Sequence, residues 1–111
     1  MVLKNLTRGT ILAKDLQCLE SFWEKSWGLL NKNNSCSLYF QTRFGIHTFG
    51  LKKPIDVLIL NNDFIVVALA TITPNRIFFW NPKYSKIIEL PFGSIKKSKT
   101  KLGNDINLFA D

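Results

Sequence analysis

The chain has 111 residues, a formal net charge of +7 at pH 7 and an apolar share of 46%. This length suits one domain, residues 1–111, and the apolar share excludes a disordered protein. The longest apolar stretch runs from Phe64 to Ile72 with one interruption, whereas a spanning helix needs about 20 apolar residues. The N-terminus lacks the apolar core of a signal peptide. We therefore expect a cytoplasmic domain that does not enter a membrane.

The aromatic and cysteine contents suggest a packed fold that needs no disulfide and no structural metal. Nine of the aromatic residues are Phe, and we expect the aromatics to supply much of the core volume. Cys18 and Cys36 match no metal or redox spacing. Two free thiols are favoured over a disulfide because no export signal is present.

The positive charge is concentrated in two places. Lys96, Lys97, Lys99 and Lys101 form one run, and Arg43, Lys52 and Lys53 form another cluster. Such charge can attract a polyanion. A solvated surface is favoured, since the aromatics do not alternate with Lys and Arg as stacking residues on a single-strand binder do.

The first third of the chain predicts a hairpin and then a helix. Val2–Asn5 and Thr10–Ala13 are rich in β-formers and flank a turn at 7–9. Asp15 can cap a helix over about 15–30. Apolar residues then recur at helical spacing, which predicts a face that packs on a sheet: Leu16, Leu19, Trp23, Trp27 and Leu30.

The remainder predicts strands joined by short turns. Asp56–Leu60 and Phe64–Thr73 form a hairpin around the turn at 61–63. The segment at 78–80 is either a short strand or a wall over the core, and 96–101 reads as a polar loop. Three further strands are predicted: Ser37–Phe40, Ile87–Leu90 and Ile106–Phe109.

These elements predict a mainly β, α+β fold. About seven short strands and one helix, joined mostly by short turns, favour antiparallel pairing. The expected architecture is a curved antiparallel sheet or small open barrel, with the helix packed against it.

Few residues could carry chemistry. His47 is the only histidine, and no phosphate-binding loop, metal motif or nucleophile elbow appears. We therefore expect no cofactor and no metal site.

Asp56 is the most informative polar residue because it lies between Ile55 and Val57 at the start of an apolar strand. A carboxylate in such a place is costly unless it is hydrogen-bonded or paired. The nearby candidates are His47, Thr48, Lys53 and backbone N–H groups of the preceding loop. The favoured interpretation is that Asp56 fastens the 45–55 loop to the strand. The alternative is an acid–base pair with His47 in a pocket.

Two other charged side chains allow two interpretations each, and a third has one. Arg43 and Arg76 could bind an anionic ligand in a bidentate way, or they could be surface charges. In its predicted strand, Glu89 points to the face opposite that of Ile88 and Leu90, and we expect its side chain to be exposed to solvent.

The segment Ile46-His47-Thr48-Phe49-Gly50, followed by Pro54-Ile55-Asp56-Val57, resembles the hallmark of the domain of unknown function 192 family, small proteins of bacteria and archaea. Other matching pieces follow in order, including Glu89–Ser94 and Gly103–Ile106. The chain departs from the family pattern at Leu51, where Met is usual. The resemblance implies a β-rich fold with a packed helix and brings no settled activity.

Three functional hypotheses remain, in this order. The first is a non-enzymatic module that binds a small ligand or protein partner in a groove beside residues 43–56. The second is a small hydrolase or lyase that uses Asp56 and His47, and the third is a basic nucleic-acid-binding protein. The candidate ligand-binding or latch residues are Arg43, His47, Thr48, Lys53 and Asp56.

Overall fold

The computed structural model describes residues 1–18 and 37–110. The elements in chain order are β1 (Val2–Asn5), β2 (Thr10–Ala13), β3 (Leu16–Cys18), β4 (Ser37–Gln41), β5 (Ile46–His47), β6 (Ile55–Leu60), β7 (Val66–Ile72), β8 (Ile77–Phe78), β9 (Lys86–Pro91), α1 (Ser94–Ser98) and β10 (Ile106–Phe109). The predicted mainly β class is confirmed.

The first sheet has three antiparallel strands in the order β10-β1-β2. The predicted opening hairpin is confirmed, and its turn uses Gly9 at φ 68°. β10 pairs with the other edge of β1, so Val2 lies opposite Phe109. This sheet therefore joins residues from the two ends of the described chain.

The second sheet has five strands in the order β3-β4-β9-β6-β7. Its β6–β7 hairpin confirms the predicted pair, and the side-chain oxygen of Asn61 accepts the N–H groups of Asp63 and Ile65 in the turn. The β3–β4 pair is parallel and the other pairs are antiparallel. Every residue of β6 is buried. β6 is therefore covered on both faces.

Two hydrophobic cores lie on opposite faces of the five-stranded sheet, since side chains alternate along each strand. The first core joins this sheet to the three-stranded sheet, through Leu58, Leu60, Ile88 and Leu90 on one side and Leu3, Leu12 and Ile106 on the other. The second core covers the other face and includes Leu38, Phe40, Val57, Ile59 and Ile87 together with Ile46 and Leu51. The short β5–β8 pair packs on this second core through Ile46 and Phe78.

A buried polar network ties the first sheet to the C-terminal part of the fold. The Asn5 side-chain amide donates to Thr100 Oγ1 at 2.9 Å and to Asn104 Oδ1 at 3.0 Å. The Thr10 hydroxyl donates to the carbonyl of Ser98 at 2.7 Å. Because buried polar groups stabilise a fold only when they are hydrogen-bonded, this network fixes α1 against the β1–β2 hairpin.

Three sequence predictions differ from the structure. The start of the predicted helix is wrong, since Leu16–Cys18 form β3; the rest of that helix lies outside the described residues. The predicted polar loop at 96–101 is instead helical as far as Ser98. Glu89 was expected to be exposed and is 0% exposed, because β9 lies between β4 and β6 and is covered on both faces. Among the described residues, Phe40 is the only buried aromatic of the two cores, and other aromatics pack against these cores partly buried: Tyr39, Phe64, Phe78, Trp80 and Tyr84.

In the described part of the chain, no helix combines the length and apolar character that crossing a bilayer requires.

Candidate functional site

Thr48 fixes the loop that follows β5. Its hydroxyl donates to the carbonyl of Thr73 at 2.7 Å and accepts the backbone N–H of Arg76 at 2.9 Å. Its backbone N–H donates to the carbonyl of Arg76, and its carbonyl accepts the N–H of Asn75. Thr48 is fully buried, so these bonds are shielded from water. They hold the 46–50 loop against the turn that precedes β8.

The outer side of the β5–β8 pair forms a shallow groove of about 190 Å³, which we call the aromatic groove. Phe44, Gly45, Ile46, His47, Phe49, Ile77 and Phe79 line it. Phe44 is 85% exposed, Phe79 68%, Ile77 57% and Phe49 47%. Isolated exposed apolar side chains are common, but several around one depression mark an interaction surface.

Alternation along β5 and β8 produces this groove. Ile46 and Phe78 are paired and turn toward the second core, whereas their neighbours His47 and Ile77 turn outward. The inner residues hold the pair on the sheet. The outer residues are therefore left to face solvent on a fixed backbone.

His47 lies beside Phe49 within the groove. The two rings are stacked with centroids 5.2 Å apart and an interplanar angle of 24°. His47 Nδ1 accepts the backbone N–H of Phe49 at 3.3 Å, which requires that this nitrogen carry no proton. The stack and the hydrogen bond orient both rings together.

Gly45 allows the Phe79 ring to lie against the backbone. Gly45 has φ 89°, a region that L side chains rarely adopt. A Cβ built at this position would lie 2.6 Å from Cδ1 of Phe79 and 2.9 Å from the carbonyl oxygen of Phe78. Only glycine satisfies both the backbone angle and this close approach.

Arg43 is at the start of the same loop and is partly engaged in the structure. Its Nη1 donates to the carbonyl oxygens of Pro82 at 2.6 Å and Lys83 at 2.9 Å. This contact ties the loop to the segment before β9. Lys53 is exposed between the 46–50 loop and β6.

Asp56 lies apart from the groove. It is 1% exposed; its Oδ1 accepts the Thr71 hydroxyl at 2.7 Å and its Oδ2 accepts the backbone N–H of Ile95 at 2.9 Å. The expected partners His47, Thr48 and Lys53 are therefore replaced by residues of β7 and α1. Asp56 fastens α1 to the sheet, and Thr48 rather than Asp56 fastens the 45–55 loop.

His47 and Asp56 face opposite sides of the five-stranded sheet. Ile55 and Val57 point into the second core, beneath the β5–β8 pair, so the alternation turns Asp56 toward the first core. The structure thus brings His47 and Thr48 to one loop with Arg43 at its start. It does not bring Asp56 to that place.

Sequence reasoning missed the exposed apolar members of the groove. The sequence predicts Phe79 in a short strand or in a wall over the core, and it makes no prediction for Phe44. A signal was present: Gly45 and Gly50 bracket the loop, and Arg43 and Arg76 directly precede Phe44 and Ile77. Within residues 1–18 and 37–110, no three His, Cys, Asp or Glu side chains lie close enough to hold a metal ion.

We expect Gly45→Ala to be more destabilising than Gly103→Ala. Both glycines have positive φ, 89° and 84°, but a Cβ at Gly103 would meet nothing within 4 Å. Gly103→Ala should cost about 1–2 kcal/mol through backbone strain, and the steric clash at Gly45 should add about 1–3 kcal/mol. Urea unfolding of the two variants measures the difference. Equal costs would show that the contact with Phe79 does not constrain the loop.

Asp56→Asn should lower the free energy of unfolding by about 1–3 kcal/mol, because two hydrogen bonds to a charged acceptor are weakened in a buried site. Asp63→Asn is the matched control: Asp63 is exposed in the β6–β7 turn, and its substitution should change stability by less than about 0.5 kcal/mol. Chemical denaturation checks both values. If Asp56→Asn left the free energy of unfolding unchanged, Asp56 would not be the residue that fastens α1.

Comparison with known proteins places the chain among small proteins of the same length class. A UPF0127 protein of Pyrococcus horikoshii is 32% identical over 101 residues, covering 86% of this chain and 88% of the relative. A UPF0127 protein of Pyrococcus abyssi is 30% identical over 97 residues, covering 82% and 83%. No family model matches the chain.

Two crystal structures share the fold at low sequence identity. One, from Sinorhizobium meliloti 1021, is described as a "putative transcription regulator"; its TM-score is 0.73 at 13% identity, covering 96% of this chain and 89% of that one. A protein of unknown function from Novosphingobium aromaticivorans has a TM-score of 0.77 at 14% identity, covering 96% and 82%. At these identities the likeness shows the fold. The family is shown by the two archaeal relatives: the chain belongs to the uncharacterised UPF0127 family.

Proposed function

We propose that this protein is a non-enzymatic binding module and that the aromatic groove is its binding surface. The observation that carries the proposal is the group of exposed apolar side chains around one depression, on two chain segments that the buried Thr48 ties together. Segments held in this way present their side chains in one geometry before a ligand arrives. Such preorganisation lowers the entropic cost of binding.

Burial of these side chains would supply the driving force. Phe44 and Phe79 are largely exposed in the free protein. Full burial of a Phe or Ile side chain contributes about 1.5–3 kcal/mol. Partial burial of the exposed members by one ligand would therefore be enough for a measurable affinity.

Charge indicates what kind of ligand fits the surface. The two segments that form the groove and its surroundings, 37–55 and 73–88, contain no Asp or Glu. They contain Arg43, Lys52, Lys53, Arg76, Lys83 and Lys86. We therefore expect an anionic ligand that also carries apolar or ring-shaped groups.

The hydrolase or lyase alternative has less support. It requires the carboxylate of Asp56 and the imidazole of His47 to reach one common point. Asp56 instead bonds Thr71 and Ile95 on the other side of the sheet. We further propose that the hallmark segment at 46–57 aligns with that of the domain of unknown function 192 family. We also propose that the protein is located in the cytoplasm.

The proposal predicts that a small aromatic anion binds at the groove. We would titrate 2-naphthoate into the isotopically labelled full chain and follow amide chemical shifts. The largest changes should fall on Gly45, His47, Phe49 and Ile77, because these residues line the groove.

The matched pair for this experiment is Phe79→Ala and Phe92→Ala. Phe92 is 65% exposed, close to the 68% of Phe79, but it does not line the groove. Phe79→Ala should abolish the shifts, whereas Phe92→Ala should preserve them. Shifts that are absent, or that are spread over other surfaces, would contradict the proposed binding surface.

A further inference from the structure

We propose that the ligand of the aromatic groove is single-stranded nucleic acid, whose bases stack on the exposed rings while its phosphates contact the surrounding basic side chains. This inference rests on the proposed binding function and names the class of partner. Three observations carry it: the exposed rings, the distribution of charge and the small size of the groove.

The exposed rings suit stacking. Phe44, Phe49 and Phe79 each leave much of their ring in solvent. Phe offers a flat apolar face and no hydrogen-bonding group, and every nucleobase can stack on such a face without base-specific contacts. The orientation of Phe49 is set by His47, and that of Phe79 by its close approach to Gly45. Phe49 and Phe79 are therefore positioned before a strand binds.

The basic side chains are close to the rings in the chain. Arg43 precedes Phe44, Arg76 precedes Ile77, and Lys52 follows the Phe49 loop. Arg43 uses only Nη1 for its bonds to Pro82 and Lys83, which leaves donors on Nε and Nη2 for a phosphate. The sequence alone argued against a surface that combines stacking aromatics with basic side chains. The structure shows that aromatics from apolar runs nevertheless reach the surface, on segments that also carry these cations.

The groove is smaller than a typical small-molecule site. Its volume is about 190 Å³, whereas ligand pockets usually enclose about 300–1,000 Å³. A ligand confined to the groove would thus bury little surface. A polymer can add contacts outside it, because its further phosphates are attracted to the basic side chains of segments 37–55 and 73–88.

A protein partner and a duplex fit these observations less well. Protein interfaces draw most of their energy from Trp, Tyr and Arg anchors that are fully desolvated in well-packed pockets, whereas Phe44 and Phe79 project into solvent around a shallow groove. A duplex keeps its base faces inside the stack, so the exposed rings could not reach them.

Fluorescence anisotropy with a short labelled oligothymidylate tests the inference on the full chain. Wild-type protein should bind it more tightly than a duplex of the same length. Phe44→Ala and Phe79→Ala should each weaken binding roughly 5- to 150-fold, the range expected for loss of one stacked base. Phe92→Ala, which removes an equally exposed Phe elsewhere, should leave affinity unchanged.

Salt dependence tests the contacts to phosphate. Affinity should fall steeply between about 50 and 200 mM salt, and each lost phosphate contact should reduce the log–log slope by about 0.7. Arg76→Gln should show this reduction. Arg8→Gln is its control, because Arg8 is an exposed arginine in the β1–β2 turn, outside the groove segments.

The outcomes separate the two proposals. Tight binding of oligothymidylate or of oligouridylate with loss in the Phe variants supports the inference, and the preferred oligomer tells DNA from RNA. Equal binding of the duplex, binding indifferent to the Phe variants, or displacement by an acidic peptide at lower concentration overturns it. Binding of 2-naphthoate at the groove without binding of either oligomer overturns the inference and leaves the proposed function standing.

Discussion

The burial of β6 on both faces is the constraint on which the rest of the molecule depends. A strand with no solvent-facing side requires a layer on each face, and the two layers here have different roles. On one face the three-stranded sheet and α1 close the first core, with Asp56 bonded to the N–H of Ile95. On the other face the β5–β8 pair closes part of the second core and presents the aromatic groove.

This arrangement separates stability from recognition. The buried carboxylate of Asp56 accepts hydrogen bonds from Thr71 and Ile95, and it thereby holds α1 against the sheet. The groove is built on the outer side of a short strand pair whose inner side is anchored by Ile46 and Phe78. Substitutions on the outer side can therefore alter the surface with little effect on the packing beneath it, whereas Gly45 and Thr48 affect both.

The sequence predicted the elements that are defined by residues close together in the chain. The β1–β2 and β6–β7 hairpins follow from β-forming runs on either side of short turns, and both agree with the structure. Strand positions alone could not reveal that β9 lies between β4 and β6, and this placement buries Glu89 on a face where alternation suggested solvent. The partners of Asp56 are distant in sequence at Thr71 and Ile95, so a search of the neighbouring loop could not find them. The exposure of Phe44 and Phe79 was missed for a related reason: hydrophobicity predicts burial, whereas the inner side of the β5–β8 pair is occupied by Ile46 and Phe78.

The pairing of β1 with β10 also governs the order in which the protein can assemble. Strands β6, β7 and β9 are near one another in sequence, and their sheet can form as soon as residues 55–91 are available. The three-stranded sheet cannot be completed until residues 106–109 have been synthesised, because these residues form β10, which pairs with β1. Contacts of such long sequence separation slow folding. Until that step is complete, the first core lacks Ile106 and the sheet that covers it lacks β10, and chains with incomplete packing are prone to aggregate.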